Sequence, residues 1–176
     1  MGLLPENEKK ESDCMNKQQV YDFLTEQGIW FEVTEHGAVY NMKELACVNL
    51  PYPEADAKNI FVRDDKKQNY YLLTVKGDKR VNLKEFRKEH GTRPLSFASE
   101  EELMHFLKLI PGAVTPLGIL NDTECRVQCF IDKELFEGRG LTGVHPNDNT
   151  ATVWLKTGEL ADLIRRHGNP VSIVQL

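Results

Sequence analysis

The stretch 58-KNIFVRDDKKQNYYLLTV-75 decides the fold of this chain. Two apolar runs, 58–64 and 69–75, are rich in β-branched and aromatic residues and flank the polar tetrapeptide DKKQ, a pattern that predicts a β-hairpin. Lys58 opens the first run, where a lysine is unexpected. The ordinary explanation is a strand-end lysine whose ammonium group reaches solvent, and the alternative is a lysine that binds a ligand.

On both sides of this hairpin, helices and strands alternate irregularly, and several strands are adjacent in the chain. This arrangement predicts an α/β fold in one domain, with a mixed, largely antiparallel β-sheet surrounded by helices. The patterns predict helices at 16–28, 41–48, 82–91, 99–110 and 157–168, and further strands at 29–36, 125–131, 141–146, 150–156 and 170–176.

Two details of this prediction concern single side chains. In the helix that begins at Ser99, the buried stripe is expected to include Ile110 at its end. In the strand at 125–131, Cys125 and Cys129 are expected to share one face as small apolar side chains, because side chains alternate along a strand.

The bulk composition is that of a globular domain. The chain has 176 residues, of which 40% are hydrophobic and 28% are charged, and no apolar run approaches the roughly 20 residues of a membrane helix. The N-terminal segment lacks the apolar region of a secretory signal. We therefore expect a cytoplasmic protein with a polar N-terminal tail at 1–14 and one domain at 15–176, and no membrane partner.

The sequence gives no indication of a cofactor or a metal. The four cysteines form no CxxC pair, and no histidine cluster accompanies them, whereas a zinc site requires four convergent ligands. The glycine-rich loops that bind nucleotide phosphates are also absent from the sequence. We expect no cofactor and no metal site.

Charge is distributed unevenly along the chain. The net charge is −5, which argues against DNA binding through a broad basic surface, yet residues 76–93 contain seven Lys or Arg against three Asp or Glu. The ordinary explanation is a solvated helix face, and the alternative is a local patch that contacts phosphate groups. The candidate contacts are Lys76, Lys79, Arg80 and Lys84.

The segment 110-IPGAVTPLGIL-120 combines aliphatic side chains with two glycines and two prolines. Gly112 and Pro116 form a G-x-x-x-P motif, in which glycine permits positive φ and proline fixes φ. Such a loop can direct successive backbone N–H groups at one point, as an oxyanion site requires. A structural turn is the ordinary explanation of the same motif.

A third segment, 143-GVHPNDNTATV-153, places His145 between two predicted strands. A histidine in such a loop is either an ordinary hydrogen-bonded side chain or a functional group. The segment alone does not distinguish these two interpretations.

Taken together and in order, 57-AKNIFVRD-64, 111-PGAVTPLGI-119 and 143-GVHPNDNTATV-153 resemble the editing-domain family related to the insertion domain of bacterial prolyl-tRNA synthetase. The similarity runs from about Asn16 to Leu176, and within the family it is greatest to freestanding deacylases that remove alanine from proline tRNA. The first 14 residues have no clear match.

The resemblance implies roles for individual residues. It implies that Lys58 engages the phosphate and terminal adenosine of the tRNA, that Asn59 helps in this placement, and that His145 lines the pocket for the aminoacyl group. It implies a substrate-positioning loop hinged at Gly112. The further substrate-binding residues implied are Ala113, Val114, Thr115, Pro116, Asn149 and Thr150.

The function implied is hydrolysis of alanyl-tRNA(Pro) in trans, with prolyl-tRNA synthetase as a further partner that the sequence leaves open. Two alternatives also remain open within tRNA binding: removal of another small residue such as cysteine or serine, and binding of aminoacyl-tRNA without hydrolysis. A third alternative, a hydrolase of free amino-acid esters or amides, would need no basic patch.

Overall fold

A computed structural model describes residues 14–176, so that all but the last residue of the predicted tail at 1–14 lies outside the described part. The boundaries of the predicted domain at 15–176 stay a prediction. The helices are α1 Lys17–Glu26, α2 Met42–Leu45, α3 Leu83–His90, α4 Glu100–Leu107 and α5 Thr157–His167. The strands are β1 Phe31–Glu35, β2 Ala57–Asp64, β3 Tyr70–Lys76, β4 Leu95–Phe97, β5 Val127–Asp132, β6 Leu141–Val144, β7 Ala151–Lys156 and β8 Val171–Val174.

The predicted hairpin is confirmed and forms the centre of the larger sheet. β2 and β3 pair antiparallel, with Lys58 opposite Val75 and Arg63 opposite Tyr70. β4 adds antiparallel to the outer edge of β2, whereas β5 and β8 continue the sheet in parallel beyond β3. The strand order β4-β2-β3-β5-β8 is therefore mixed, as the irregular alternation of helices and strands predicts.

The remaining strands form a second, antiparallel sheet of order β1-β7-β6. The predicted fold class is confirmed, but the strands make two sheets rather than one. A single parallel bridge between Asp56 and Gly143 connects the start of β2 to β6. This bridge holds the end of one sheet against the end of the other.

The main core lies between the sheets and helices α1, α4 and α5. Leu24, Leu72, Leu107, Leu155 and Ile164 are all essentially inaccessible to solvent and belong to one apolar cluster. Each such side chain contributes roughly 1.5–3 kcal/mol when it is fully buried. The core thus fixes the relative position of the elements that carry the site.

Local capping sequences set the helix starts where the sequence predicts them. Asn16 and Ser99 each accept a hydrogen bond from the amide three residues later, and Gln19 and Glu102 bond back to complete two capping boxes. Asn82 caps α3 through its side chain, and Gly91 ends that helix with positive φ.

Two local predictions need correction, and one short strand was missed. Ile110 is exposed because α4 ends at Leu107: the capping residue Lys108 has a φ of 55°, and the buried position passes to Leu109. Cys125 lies in a turn before β5, with a φ of 53°, and therefore does not share a strand face with the buried Cys129. The three-residue strand β4 was not predicted, because so short a run carries no periodicity.

None of the helices between residues 14 and 176 combines the length and hydropathy that crossing a membrane requires. In the same part of the chain, no three His, Cys, Asp or Glu side chains lie together in an arrangement that could hold a metal ion.

Candidate active site

A cavity of about 260 Å³ opens where the two sheets meet. Its walls come from the start of β2, the G-x-x-x-P loop, the end of β6 and the segment that leads into α2. The lining residues are Val39, Tyr40, Asn41, Met42, Leu45, Asp56, Ala57, Lys58, Asn59, Gly112, Val114, Gly143, Val144, His145 and Thr152.

Lys58 lies in the cavity wall near the start of β2, and its side chain is partly buried. Its ammonium group donates a hydrogen bond to the backbone carbonyl of Lys79. Burial lowers the pKa of Lys58, and the neighbouring charge of Arg80 lowers it further, while Asp78 acts in the opposite direction. The amine is thus held by the chain, and among residues 14–176 two of its three N–H groups have no acceptor.

Asn59 lines the cavity beside Lys58. Its side-chain oxygen accepts a hydrogen bond of 2.8 Å from the hydroxyl of Thr74 on the paired strand β3. This bond orients the amide group, because the oxygen is fixed toward Thr74.

The G-x-x-x-P loop reaches the cavity through Gly112 and Val114. Gly112 has a φ of 86°, a conformation that L side chains rarely adopt, and a Cβ atom there would come within 2.9 Å of the Tyr40 ring. Within residues 14–176, the amide of Ala113 donates to the carbonyl of Ile110 at 3.1 Å, whereas the amides of Gly112 and Val114 have no protein acceptor. Gly112 and Val114 thus each bring to the cavity wall a main-chain donor without an acceptor in the described part of the chain.

Ala113, Thr115 and Pro116 do not line the cavity, although the resemblance implies that they bind substrate. Ala113 is buried in the turn, and Pro116 begins a short 3-10 helix, Pro116–Asn121. The buried Thr115 hydroxyl donates to the carbonyl of His145 at 2.6 Å. Thr115 thus joins the loop directly to the opposite wall.

His145 lines the cavity just after β6. Its Nδ1 lies 2.9 Å from the Ala151 carbonyl, and because a carbonyl can only accept, Nδ1 carries the proton. Burial lowers the pKa of His145, and the nearby ring of His36 lowers it further. The hydrogen bond to the Ala151 carbonyl acts in the opposite direction and raises the pKa. The imidazole is therefore neutral near pH 7, with Nε2 as an acceptor.

Asn149 and Thr150 lie behind the wall and do not face the cavity. The Asn149 amide donates to the Val39 carbonyl at 3.0 Å, and the Val39 amide donates back to the Asn149 carbonyl at 3.2 Å. The Thr150 carbonyl accepts from the amide of His36 at 2.9 Å. Both residues thereby fix the segment that brings Tyr40 to the cavity.

The basic segment at 76–93 adjoins the cavity, because the carbonyl of Lys79 holds the Lys58 amine. The side chain of Lys79 is turned toward the protein and pairs with Asp132 at 2.8 Å and Glu134 at 3.0 Å. Lys76 is partly buried, whereas Arg80 and Lys84 are exposed. Arg80 and Lys84 are thus the better placed of the four predicted contacts.

Sequence patterns did not identify Asp56, Tyr40 or Thr152 as cavity residues. Asp56 is 8% exposed and comes two residues before Lys58 in extended backbone. That spacing was a usable signal, since residues two apart in an extended chain face the same side. Tyr40 and Thr152 come from distant segments, and nothing in their own sequence surroundings indicates the site.

Comparison with known proteins places the chain among proteins that act on aminoacyl-tRNA or are named for prolyl-tRNA synthetase. The family model described as the aminoacyl-tRNA editing domain matches residues 36–163. The prolyl-tRNA editing protein ProX of Acetoanaerobium sticklandii is 38% identical over 164 residues, covering 93% of this chain and 99% of that protein. The prolyl-tRNA synthetase associated domain-containing protein 1 of Mus musculus is 32% identical over 141 residues, covering 78% and 83% respectively.

Among solved structures, one described as a candidate trans-editing enzyme for prolyl-tRNA synthetase superposes with a TM-score of 0.67. It covers 91% of this chain and 96% of its own, at 22% identity. At that identity the likeness concerns the fold.

Proposed function

The chain belongs to the aminoacyl-tRNA editing domain family and is an aminoacyl-tRNA hydrolase, and from that premise we propose that it removes alanine from mischarged proline tRNA. One observation carries the proposal: Lys58, Gly112, Val114 and His145, which come from three separate segments, surround a single small cavity.

The size of the substrate explains why such an enzyme is needed. A synthetase pocket shaped for proline cannot exclude the smaller alanine by steric means, and the missing methylene groups change binding by only about 1–3 kcal/mol. A second site must admit alanine and reject the proline ring. The cavity of about 260 Å³ lies below the roughly 300–1,000 Å³ of sites for drug-sized ligands and so fits a small aminoacyl group, whereas the choice between alanine and proline falls to the residues of its walls.

Hydrolysis of the ester requires little chemistry from the protein. Water adds to the ester carbonyl, the acyl–oxygen bond breaks, and the ribose oxygen takes the proton, giving free alanine and free tRNA. A ribose hydroxyl next to the ester assists the proton transfer. The unpaired amides of Gly112 and Val114 support a role in stabilising the negative charge that develops on the carbonyl oxygen.

The remaining cavity residues position the substrate. Lys58 anchors the phosphate and terminal adenosine, and its place beside the exposed Arg80 supports this role. The neutral ring of His145 forms a wall against the aminoacyl group. Asn59 assists Lys58 through its oriented amide.

The relatives support the choice of tRNA. ProX carries prolyl-tRNA editing in its name, and the mouse relative is named for an association with prolyl-tRNA synthetase. We therefore propose proline tRNA charged with alanine as the substrate and prolyl-tRNA synthetase as a partner, with the reaction taking place in the cytoplasm.

A panel of charged tRNAs tests the substrate. We expect release of alanine from alanyl-tRNA(Pro), with much slower hydrolysis of prolyl-tRNA(Pro) and alanyl-tRNA(Ala). Faster release of serine or cysteine from tRNA(Pro) would show that the preferred substrate carries that residue and not alanine. Binding of these tRNAs without any hydrolysis would overturn the proposed activity.

Replacement of Lys58 by alanine tests the site. We expect Lys58→Ala to lose deacylation of alanyl-tRNA(Pro) while the unfolding transition stays close to that of the wild type, because the amine is partly exposed. The matched control is Lys66→Ala, in the hairpin turn at the other end of β2. Full activity in Lys58→Ala would refute the anchoring role.

A further inference from the structure

A further ionisable group, Asp56, lies in the cavity wall two residues before Lys58. Its backbone is fixed on two sides, because its carbonyl accepts from the Gly77 amide at 2.9 Å and the residue pairs with Gly143 across the two sheets. The residue as a whole is 8% exposed. Asp56 is thus a rigidly mounted and nearly buried acid that adjoins the cavity.

The carboxyl group has no cationic partner among residues 14–176. The backbone amide of Ala57 is the one described group that favours its charged form, and burial raises the pKa of Asp56 to about 7. Buried carboxylates are ordinarily paired or hydrogen-bonded, since an isolated buried charge is strongly unfavourable. For Asp56, a ligand in the cavity can supply the missing partner, because the residue lines the cavity.

The charges of the cavity match those at the 3′ end of an aminoacyl-tRNA. That end carries an ammonium group beside the ester and a phosphate beyond the adenosine. The cavity offers a carboxyl group at Asp56 and an amine at Lys58. Among residues 14–176 these two groups form no ion pair, and no charge of Lys58 acts on the pKa of Asp56. A bound ester can therefore place its cation and its anion against opposite charges.

We propose that Asp56 binds the α-ammonium group of the aminoacyl ester and restricts the enzyme to esters whose amino group is free. This inference rests on the proposed aminoacyl-tRNA substrate. An acylated nitrogen carries no charge, so a peptidyl or formylated aminoacyl end leaves the carboxylate unpaired. The site then selects tRNA that has not yet entered peptide synthesis.

The test compares alanyl-tRNA(Pro) with lactyl-tRNA(Pro), in which a hydroxyl group replaces the ammonium group. Single-turnover hydrolysis rates are measured for the wild type and for Asp56→Asn with each ester. For each ester, the rate of the wild type is divided by the rate of Asp56→Asn. Because both rates in a ratio come from the same ester, the different intrinsic lability of the two esters cancels. We expect Asp56→Asn to slow alanyl ester hydrolysis about tenfold or more, the scale of a lost charge-assisted hydrogen bond. We expect the lactyl rates to agree within about twofold.

Glu54→Gln is the matched control, because it removes one carboxylate two residues away, where Glu54 pairs with Arg139 outside the cavity. Glu54→Gln should leave the hydrolysis rates of both esters unchanged. Should Asp56→Asn fold poorly, Asp56→Ala gives the same comparison. An equal loss of rate on both esters would overturn the inference, since the carboxyl group would then act on the ester or on the fold.

The outcome is separable from that of the proposed substrate. The wild type could instead hydrolyse seryl-tRNA or cysteinyl-tRNA and leave alanyl-tRNA(Pro) intact. In that case the role of Asp56 is decided by the same comparison of wild type and Asp56→Asn, made with that ester and its α-hydroxy counterpart. If the wild type hydrolyses no aminoacyl-tRNA, both proposals fail.

Discussion

The carboxyl group of Asp56 makes the folded state sensitive to pH. Its pKa is about 7 in the folded protein against an ordinary value of 3.8, because burial disfavours the charged form. As the pH rises between these two values, the unfolded chain releases this proton more readily than the folded chain. The contribution to stability is therefore complete below about 3.8 and is lost as the pH rises through about 7.

We therefore expect Asp56→Asn to increase the free energy of unfolding more at about pH 8 than at about pH 4. A pKa raised by one corresponds to about 1.4 kcal/mol, so the gain at high pH is on the order of a few kcal/mol. The other titratable groups that line the cavity, Tyr40, Lys58 and His145, are unchanged in the variant. Urea unfolding at both pH values measures the difference, and an equal change at both would contradict it.

At the level of single residues, the sequence identified part of the cavity wall, namely Lys58, Asn59, Gly112, Val114 and His145. Three motifs in a fixed order and their resemblance to one family identified these residues, because each motif alone also has an ordinary structural explanation. The sequence patterns did not identify Asp56, because an aspartate after two prolines resembles an ordinary loop residue. Its burial depends on a bridge to Gly143, a distant residue, which no local pattern encodes.

Among the elements of the fold, the link between the G-x-x-x-P loop and the end of β6 has the most direct bearing on the site. The Thr115 hydroxyl donates to the His145 carbonyl and also accepts from the Leu117 amide at 3.3 Å. One side chain therefore caps the following 3-10 helix and sets the distance between two cavity walls.

We expect Thr115→Val to lower the free energy of unfolding by about 1–3 kcal/mol, because valine keeps the shape but leaves buried polar groups without a partner. Deacylation should also slow, since the loop is no longer tied to His145. Thr115→Ser retains the hydroxyl group and should restore both properties. Urea unfolding and single-turnover deacylation check this, and a stable, fully active Thr115→Val would contradict it.

Helices and adjacent strands could be predicted from the sequence more readily than the pairing of distant strands. The caps at Asn16 and Ser99 and the hairpin of β2 and β3 depend on residues close in sequence. The division into two sheets depends on β1 pairing with β7, far along the chain. Such pairing is decided by packing and register rather than by local preference.

For the whole molecule, an acidic body carries one basic segment beside the cavity. The net charge is −5, so long-range attraction for tRNA is weak and contacts near the site must supply it. Lys79 contributes little to such contacts because Asp132 and Glu134 neutralise it. Arg80 and Lys84 are both exposed, and we propose these two residues as the contacts for the acceptor stem.

We expect the pair Arg80→Gln and Lys84→Gln to raise KM for alanyl-tRNA(Pro) and to reduce the salt dependence of kcat/KM, with the slope falling by about 1 for each phosphate group that the enzyme no longer binds. Arg165→Gln with Arg166→Gln on α5, none of whose residues lines the cavity, is the matched control. Deacylation rates measured over a series of salt concentrations decide the matter. Unchanged KM and slope in the first pair would show that the segment is solvated surface.

At Gly143, a single residue without a side chain separates the cavity from the core. On one side this residue lines the cavity, and on the other its Cα rests against the ring of Trp154, leaving no room for a methyl group. Trp154 is fully buried, whereas the other tryptophan of the chain, Trp30, is half-exposed and open to aqueous quenchers. The protein therefore contains its own fluorophore directly behind the site, so that ligand entry can be followed by emission from the unlabelled wild-type chain.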